Sequence, residues 1–307
     1  MTIAIAGSGD LTRYLTAEFA AANIPTVLLT RRQKPHFSHP SITQEVVDYT
    51  STASLTTALD KHNATALIST ILTYDAAAFI TAHTNLIAAA TASTSCKRFI
   101  PSEYGVNIQD YPDQPGFYYD TREPIRAMLR AQRELEWTLV CCGWVVDYIV
   151  PRANRYMKDI GDAFPANLAE RRMVVPGTGR ERVDFIAARD LARGLARLVS
   201  LARGVWEEYV YLSGEQMSCD ELGERVRRKY EGGFEVRYLS LRELVNAVRE
   251  ARGEEERIEA EYKIVIPSGA AALDAAKVER HRGLYFQGIK FRGVQEVLDA
   301  VGEGVIV

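Results

Sequence analysis

Short apolar runs and longer segments with helical apolar spacing alternate along the first 150 residues. Thr2–Ala6 reads as a strand, and a helix runs from about Leu11 to Ala22 after a Gly turn. Thr26–Leu29 and Glu45–Asp48 read as the second and third strands, with a helical turn at Ser54–Leu59. Ala64–Ser69, Lys97–Ile100 and Thr138–Cys142 complete a set of six strands. Helices are predicted between them at Asp75–Thr91 and Asp120–Arg133. This rhythm predicts a parallel sheet with helices on both faces. Strands buried on both sides read as continuous apolar runs rather than alternating ones.

After Pro151 the rhythm changes. Arg152–Arg172 mixes charges with aromatic residues, and Val174–Gly179 reads as a strand and turn. Ala187–Leu201, Cys219–Tyr230 and Leu241–Arg252 have helical patterns, with strands at Tyr209–Leu212 and Phe234–Tyr238. Gly253–Arg257 reads as a charged break, and Val294–Ala300 as a last short helix. The expected organisation is a nucleotide-binding domain over residues 1–152, with 183–213 returning to its sheet. Residues 153–182 and 214–307 would form a smaller α/β lobe facing the substrate.

Composition narrows the function classes. The chain of 307 residues is 47% apolar and 25% charged, as ordinary globular proteins are. A net charge of −3 carries no basic excess pointing to nucleic acid, although Arg outnumbers Lys 29 to 8. The longest apolar run, Trp137–Val146, would span about 15 Å as a helix, half a bilayer core. No membrane helix is expected. The Met1–Gly7 start has no basic region and its apolar run ends at Gly7, so a cytoplasmic location is the default. The adjacent Cys141 and Cys142, with Cys96 and Cys219, suit buried thiols. The five His are widely separated, so no metal is expected. The pattern does not specify an oligomeric state.

The strongest single motif is Gly7-Ser8-Gly9-Asp10-Leu11-Thr12, placed between the first strand and first helix. The first Gly permits a tight turn and the second lets backbone approach a pyrophosphate at the helix N-terminus. Thr12 stands where a third Gly usually allows close helix–strand packing, so it should push the helix outward slightly. This is a Rossmann-type doubly wound sheet signature. An NAD site usually places an acid about 20 residues further on, against the ribose 2′-hydroxyl. Here the second strand ends in Thr30-Arg31-Arg32-Gln33-Lys34. Guanidinium groups suit a 2′-phosphate, so NADPH is the expected cofactor. His36 beside the cluster reads as a surface residue.

Arg98-Phe99-Ile100-Pro101-Ser102-Glu103-Tyr104-Gly105 resembles the R-F-[IL]-P-S-E-[FY]-G signature of NmrA-like and isoflavone-reductase-like proteins. The Gly7/Gly9 turn, Thr30-Arg31, Val47-Asp48-Tyr49, Leu67-Ile68-Ser69-Thr70 and Ile125-Arg126 fall in matching order. Pro176-Gly177-Thr178-Gly179 and Arg189-Asp190-Leu191 extend the match to about residue 200. The resemblance implies an atypical short-chain dehydrogenase/reductase fold, within a family holding both NADPH-dependent reductases and a nucleotide-binding regulator. It therefore implies the cofactor more firmly than the reaction.

In the reductase branch, a Lys four residues before the Arg of a V-R or I-R pair binds the nicotinamide ribose and serves catalysis. Counting back from Arg126 reaches Arg122, which cannot act as acid or base but can still donate to the ribose. Tyr118 lies one helical turn before Arg122 and is the expected proton donor. Ser102 would bond the same substrate oxygen. Ser69, Thr70 and Ile71 after the fourth strand should face the nicotinamide, while Glu103 fixes a loop. Tyr104, Trp144, Asp147, Tyr148 and Tyr156 near the carboxyl edge are the candidate substrate contacts. The expected activity is NADPH-dependent reduction of a small carbonyl, imine or enone compound. The alternative is an NADP(H)-binding regulator or redox sensor without turnover.

Overall fold

In a computed structural model describing residues 1–307, the apolar runs of the first half join into one parallel sheet. Its strands are β1 (Thr2–Ala6), β2 (Thr26–Thr30), β3 (Ile42–Val46), β4 (Ala64–Ser69), β5 (Arg98–Ile100) and β6 (Glu136–Trp137). Their order is β3-β2-β1-β4-β5-β6, so the direction of growth reverses between β1 and β4. Open sheets of this kind bind ligands outside the carboxyl edge at that reversal.

The later strands are β7 (Leu139–Cys141), β8 (Trp144–Val145), β9 (Ala166–Asn167), β10 (Arg172–Pro176), β11 (Arg182–Ile186), β12 (Tyr209–Tyr211), β13 (Glu215–Ser218) and β14 (Glu235–Leu239). The helices are α1 (Asp10–Ala21), α2 (Thr52–Lys61), α3 (Ala76–Ala92), α4 (Gly116–Ala131), α5 (Ala188–Ser200), α6 (Cys219–Lys229), α7 (Leu241–Glu250), α8 (Glu254–Ile264), α9 (Ala275–Tyr285) and α10 (Val294–Asp299).

The pleat sends alternate side chains of β1 to opposite faces, and both faces are covered. Ala4 and Ala6 join Val27, Leu29 and Leu67 in the larger core, with Leu55 of α2, Phe79 of α3 and Leu129 of α4. Ile3 and Ile5 join Leu28 and Ile68 in the second core, with Phe19 of α1 and Leu195 of α5. The sheet is thus doubly wound, and its continuous apolar strands follow from burial on both sides.

Several boundaries depart from the sequence pattern. The third strand lies earlier than Glu45–Asp48, because β3 is a half-exposed edge strand with a polar Thr-Gln-Glu centre that blurs its pattern. The expected sixth strand, Thr138–Cys142, corresponds to β7, and the sixth strand of the main sheet is the preceding β6. β6 pairs with β5, whereas β7 pairs in parallel with the returning β12. β11, unmarked in the apolar pattern, pairs with β8 and β13 in a separate small sheet. Gly253–Arg257 is not a break: Gly253 caps α8, whose first turn holds Glu254, Glu255 and Glu256. Carboxylates there face the positive end of the helix dipole, so a charged run opens a helix. α4 begins at Gly116 rather than Asp120, which puts Tyr118 inside the helix.

Candidate functional site

A groove of about 1200 Å³ runs along the carboxyl edge over β1, β2 and β4. Gly7, Ser8 and Gly9 form its floor, Thr30, Arg31, Arg32 and Lys34 one end, and Thr70, Ile71 and Leu72 a rim.

The two glycines are required for different reasons. Gly7 has φ +110°, and a Cβ there would stand 2.6 Å from Thr70 Oγ1. Only Gly adopts that backbone without strain. Gly9 has ordinary φ, and a Cβ there would meet nothing within 4 Å. The protein has room for a side chain at Gly9; the open space in front of it is the groove. A bare backbone at that point, leading into the N-terminus of α1, is what close approach of a pyrophosphate needs. The residues present therefore fit a dinucleotide.

Thr12 does not behave as expected from its place in the motif. It is fully buried, with its hydroxyl 3.2 Å from the Gly7 carbonyl and 2.8 Å from Thr70 Oγ1. Thr70 in turn donates to the Ala6 carbonyl at 3.1 Å. Thr12 thus ties the turn to the loop after β4 and does not line the groove. Nor do Asp10, which accepts from the Lys158 N–H at 3.0 Å, and Leu11.

The basic end is fixed by its neighbours. Gln44 of β3 exchanges two hydrogen bonds with the Lys34 backbone, at 2.8 and 2.9 Å, and Thr30 Oγ1 donates to the Arg32 carbonyl at 2.8 Å. The Arg31 and Arg32 side chains remain exposed. The pKa of exposed His36 is lowered by partial desolvation and then by the charges of Arg13 and Lys34. The stretch beside it, after β3, where the Val47 N–H bonds the Thr30 carbonyl at 3.0 Å, is one that the sequence motifs do not mark. Val47, Asp48, Tyr49 and Thr50 after β3, with Ala77, Ala78, Thr81 and Ala82 of α3, line the same groove. Tyr49 receives the Gly7 N–H at 2.8 Å and donates to the Leu29 carbonyl at 2.6 Å. Only the family-like order of Val47-Asp48-Tyr49 could have signalled it.

Ser69 also departs from expectation: it is fully buried and faces His83 of α3 rather than the groove. His83 Nδ1 lies 2.9 Å from the Phe79 carbonyl and so carries the proton. Nε2 then accepts the Ser69 hydroxyl at 3.0 Å. Burial holds the His83 pKa down to about 3, with the charge of Arg122 adding to the effect.

Tyr118 and Arg122 do come together, but by stacking. The Arg122 guanidinium lies 4.2 Å from the Tyr118 ring centre and 4.1 Å from that of Phe79. The cation therefore meets the phenol ring rather than its oxygen. Glu103 grips Arg126 of α4 through two 3.0 Å bonds, fixing the loop after β5 where Ser102 and Tyr104 sit half-buried. Tyr104 donates to the Ser69 carbonyl at 2.9 Å.

Of the aromatic candidates, Trp144 and Tyr148 pack on buried Phe164 of the larger core, at 5.6 and 5.2 Å between ring centres, and neither lines the groove. Tyr262 of α8 links Trp144 to Phe117 in that cluster. Phe79, Phe164 and Tyr262 lack any local sequence signal. Two candidates belong elsewhere. Asp147 is fully buried and accepts from Ala188 N–H at 2.8 Å, capping α5. Tyr156 packs on Tyr14 of α1, with the Arg13 guanidinium 3.8 Å over its ring. Both are held by the first helix and the capped fifth, so their place at a strand end reflects packing.

The NmrA-like family profile matches residues 1–298, and the chain belongs to that family. It is 45% identical over 303 residues to the oxidoreductase swnR of Metarhizium robertsii, covering 99% of this chain and 98% of that one. Among solved structures, leucoanthocyanidin reductase from Vitis vinifera in a ternary complex superposes with TM-score 0.76 at 18% identity, over 97% and 98% of the two chains. AtPrR2 with NADP+ and (+)pinoresinol gives 0.76 at 17% identity, over 97% of each.

Proposed function

We propose that the protein is an NADPH-dependent oxidoreductase that reduces a small, flat carbonyl, imine or enone compound. The observation that carries the reading is the groove itself: a glycine floor against a helix N-terminus, ending in Arg31, Arg32 and Lys34 with no acid at the end of β2. The name of the swnR relative and the NADP+ held by AtPrR2 support the same chemistry. Residues 1–152, with 183–213 returning beside them, would hold the cofactor; 153–182 and 214–307 would shape the substrate side.

Bound NADPH supplies a hydride to the unsaturated carbon. The chain has to orient the acceptor and furnish a proton to oxygen or nitrogen. Arg122 cannot give that proton. Tyr118, one turn earlier on α4, is the group we assign to it, with Ser102 donating to the same atom. Trp144 and Tyr148 would pack against the flat body of the substrate.

Calorimetry with NADPH and NADH tests the cofactor, and loss of reduced-cofactor absorbance over a panel of unsaturated substrates tests turnover. Equal affinity for the two nucleotides would sink the cofactor assignment. Arg122 in place of a titratable Lys favours a second reading, an NADP(H)-binding regulator. Tight NADPH binding with no turnover across the panel would select it.

A further inference from the structure

A second cavity, of about 350 Å³, lies outside the groove and shares no residue with it. Three stretches of the second half meet there: the segment after β8, the turn between β9 and β10, and the loop between α6 and β14. The Tyr230 hydroxyl at the end of α6 donates to the Ile149 carbonyl at 2.9 Å, tying the last of these to the first. Three guanidinium groups line the cavity against one carboxylate. That carboxylate, Asp159, is engaged by Arg155, which also donates to the Val150 and Met157 carbonyls. Arg152 and Arg171 are left without an acidic partner.

Arg171 is held in place from several sides. Its backbone is left-handed, φ +49°, which is uncommon for a residue with a Cβ. Its Nε donates to the Gly233 carbonyl at 3.3 Å, and Nη2 to those of Tyr230 and Glu231 at 3.3 and 2.6 Å. A Cβ at Gly232 would stand 2.6 Å from that Nη2, so the loop closes on the guanidinium only with Gly there. These bonds leave the Arg171 Nη1 hydrogens for another acceptor. Arg152 spends only Nη1, on the Arg155 carbonyl at 2.8 Å, and its Nε–Nη2 edge stays open. The rest of the lining is mainly apolar: Val150 is buried, and Pro151, Leu168, Tyr230 and Phe234 are half-buried. The Arg171 guanidinium lies 5.0 Å from the Phe234 ring centre, so charge and hydrocarbon adjoin.

We infer that this cavity is a second binding site, for the anion of a small aromatic carboxylic acid. A carboxylate matches the planar fork of a guanidinium, and Arg152 and Arg171 supply the open N–H groups. A bare inorganic anion would leave the Tyr230 and Phe234 walls uncovered, and a neutral ring would leave both cations unused. A volume of about 350 Å³ is at the small end for ligand pockets and under a third of the groove's, so a small molecule suits it better than a second nucleotide. The locked Arg171 lowers the ordering cost of binding, because that side chain is already fixed. The site stands whether or not the groove turns over a substrate.

The test uses cinnamate as the probe, with neutral cinnamamide and ring-free acetate beside it, each titrated by calorimetry into the full chain. Cinnamate should bind about tenfold or more tightly than either. Arg152 is exposed and holds a single carbonyl, so Arg152→Met should keep the parent's thermal midpoint. It should lower cinnamate affinity about tenfold and move cinnamamide less than about threefold. Arg152→Lys keeps the charge without the fork and should retain part of the preference. Saturating NADP+ should change cinnamate affinity less than about threefold, because groove and cavity are separate. Cinnamate binding no tighter than cinnamamide or acetate, no cinnamate binding at about 10 mM, or a preference that survives Arg152→Met overturns the inference. Displacement of cinnamate by NADP+ overturns it too, and puts the probe in the groove.

Discussion

Gly7 and Gly9 have opposite needs, and this separates folding from binding at the scale of single residues. Gly7→Ala forces a side chain into φ +110° and against Thr70, so it should destabilise the protein by about 1–3 kcal/mol in urea denaturation. Gly9→Ala meets no protein atom. Its stability should stay within about 0.5 kcal/mol of the parent, while NADPH affinity falls about tenfold or more. If Gly9→Ala binds NADPH as the parent does, the pyrophosphate does not cross that turn. Asp147 makes a pH prediction of equal sharpness. Its burial raises the carboxyl pKa to about 6 despite the Ala188 N–H, and Oδ1 has no partner. The folded state thus holds the proton more tightly than the unfolded chain. Stability should fall as pH rises from about 4 through 6, by about 3 kcal/mol in all. Asp147→Asn keeps an acceptor for Ala188 and should flatten that fall. Parallel stability–pH curves for the two proteins would show that Asp147 is not the titrating group.

At the scale of elements, α4 holds the candidate chemistry, and its start is fixed from a distance. Pro115 precedes Gly116 and gives no side-chain cap; the Phe117 N–H is accepted by Glu261 of α8 at 2.6 Å, with Arg257 holding the same carboxylate at 3.0 Å. Glu261→Ala should cost about 0.5–2 kcal/mol of stability, and Glu261→Gln, which keeps an acceptor, considerably less. Equal losses in the two variants would mean the charge rather than the cap matters. This contact also shows where the sequence stopped being legible. β1, β2, β4 and β5 were readable because burial on both faces leaves unbroken apolar runs, whereas the half-exposed edge strand β3 was expected three residues late. The Gly7-Ser8-Gly9 turn and the Arg31–Lys34 cluster were readable because each is contiguous. α8 and α9 were not: each buries only a few scattered positions, so neither shows a helical stripe. Residues that α8 and α3 bring against α4, such as Tyr262 and Phe79, are placed by packing alone. Conversely, Asp147 and Tyr156 sit at a strand end where ligands bind, yet helix capping and packing on α1 claim them.

Over the whole molecule the charge balance is slightly negative, −3, while the groove ends in exposed cations. On the proposed reading, the attraction for the 2′-phosphate of NADPH is therefore local to that cluster. Charges this exposed are screened within about 10 Å at 0.1 M salt. The preference for NADPH over NADH should accordingly shrink as salt rises from about 20 to 500 mM, while NADH affinity changes less. Arg31→Ala should lower NADPH affinity roughly ten- to a hundredfold at low salt, as loss of a charge-assisted bond does, and leave NADH nearly untouched. It should also flatten the salt dependence, because the screened interaction has been removed. If the Gly7–Gly9 turn holds the part common to both nucleotides, NADH affinity should be the less salt-dependent of the two. If Arg31→Ala weakens both nucleotides alike, the cluster serves the shared pyrophosphate and discrimination must come from elsewhere in the groove.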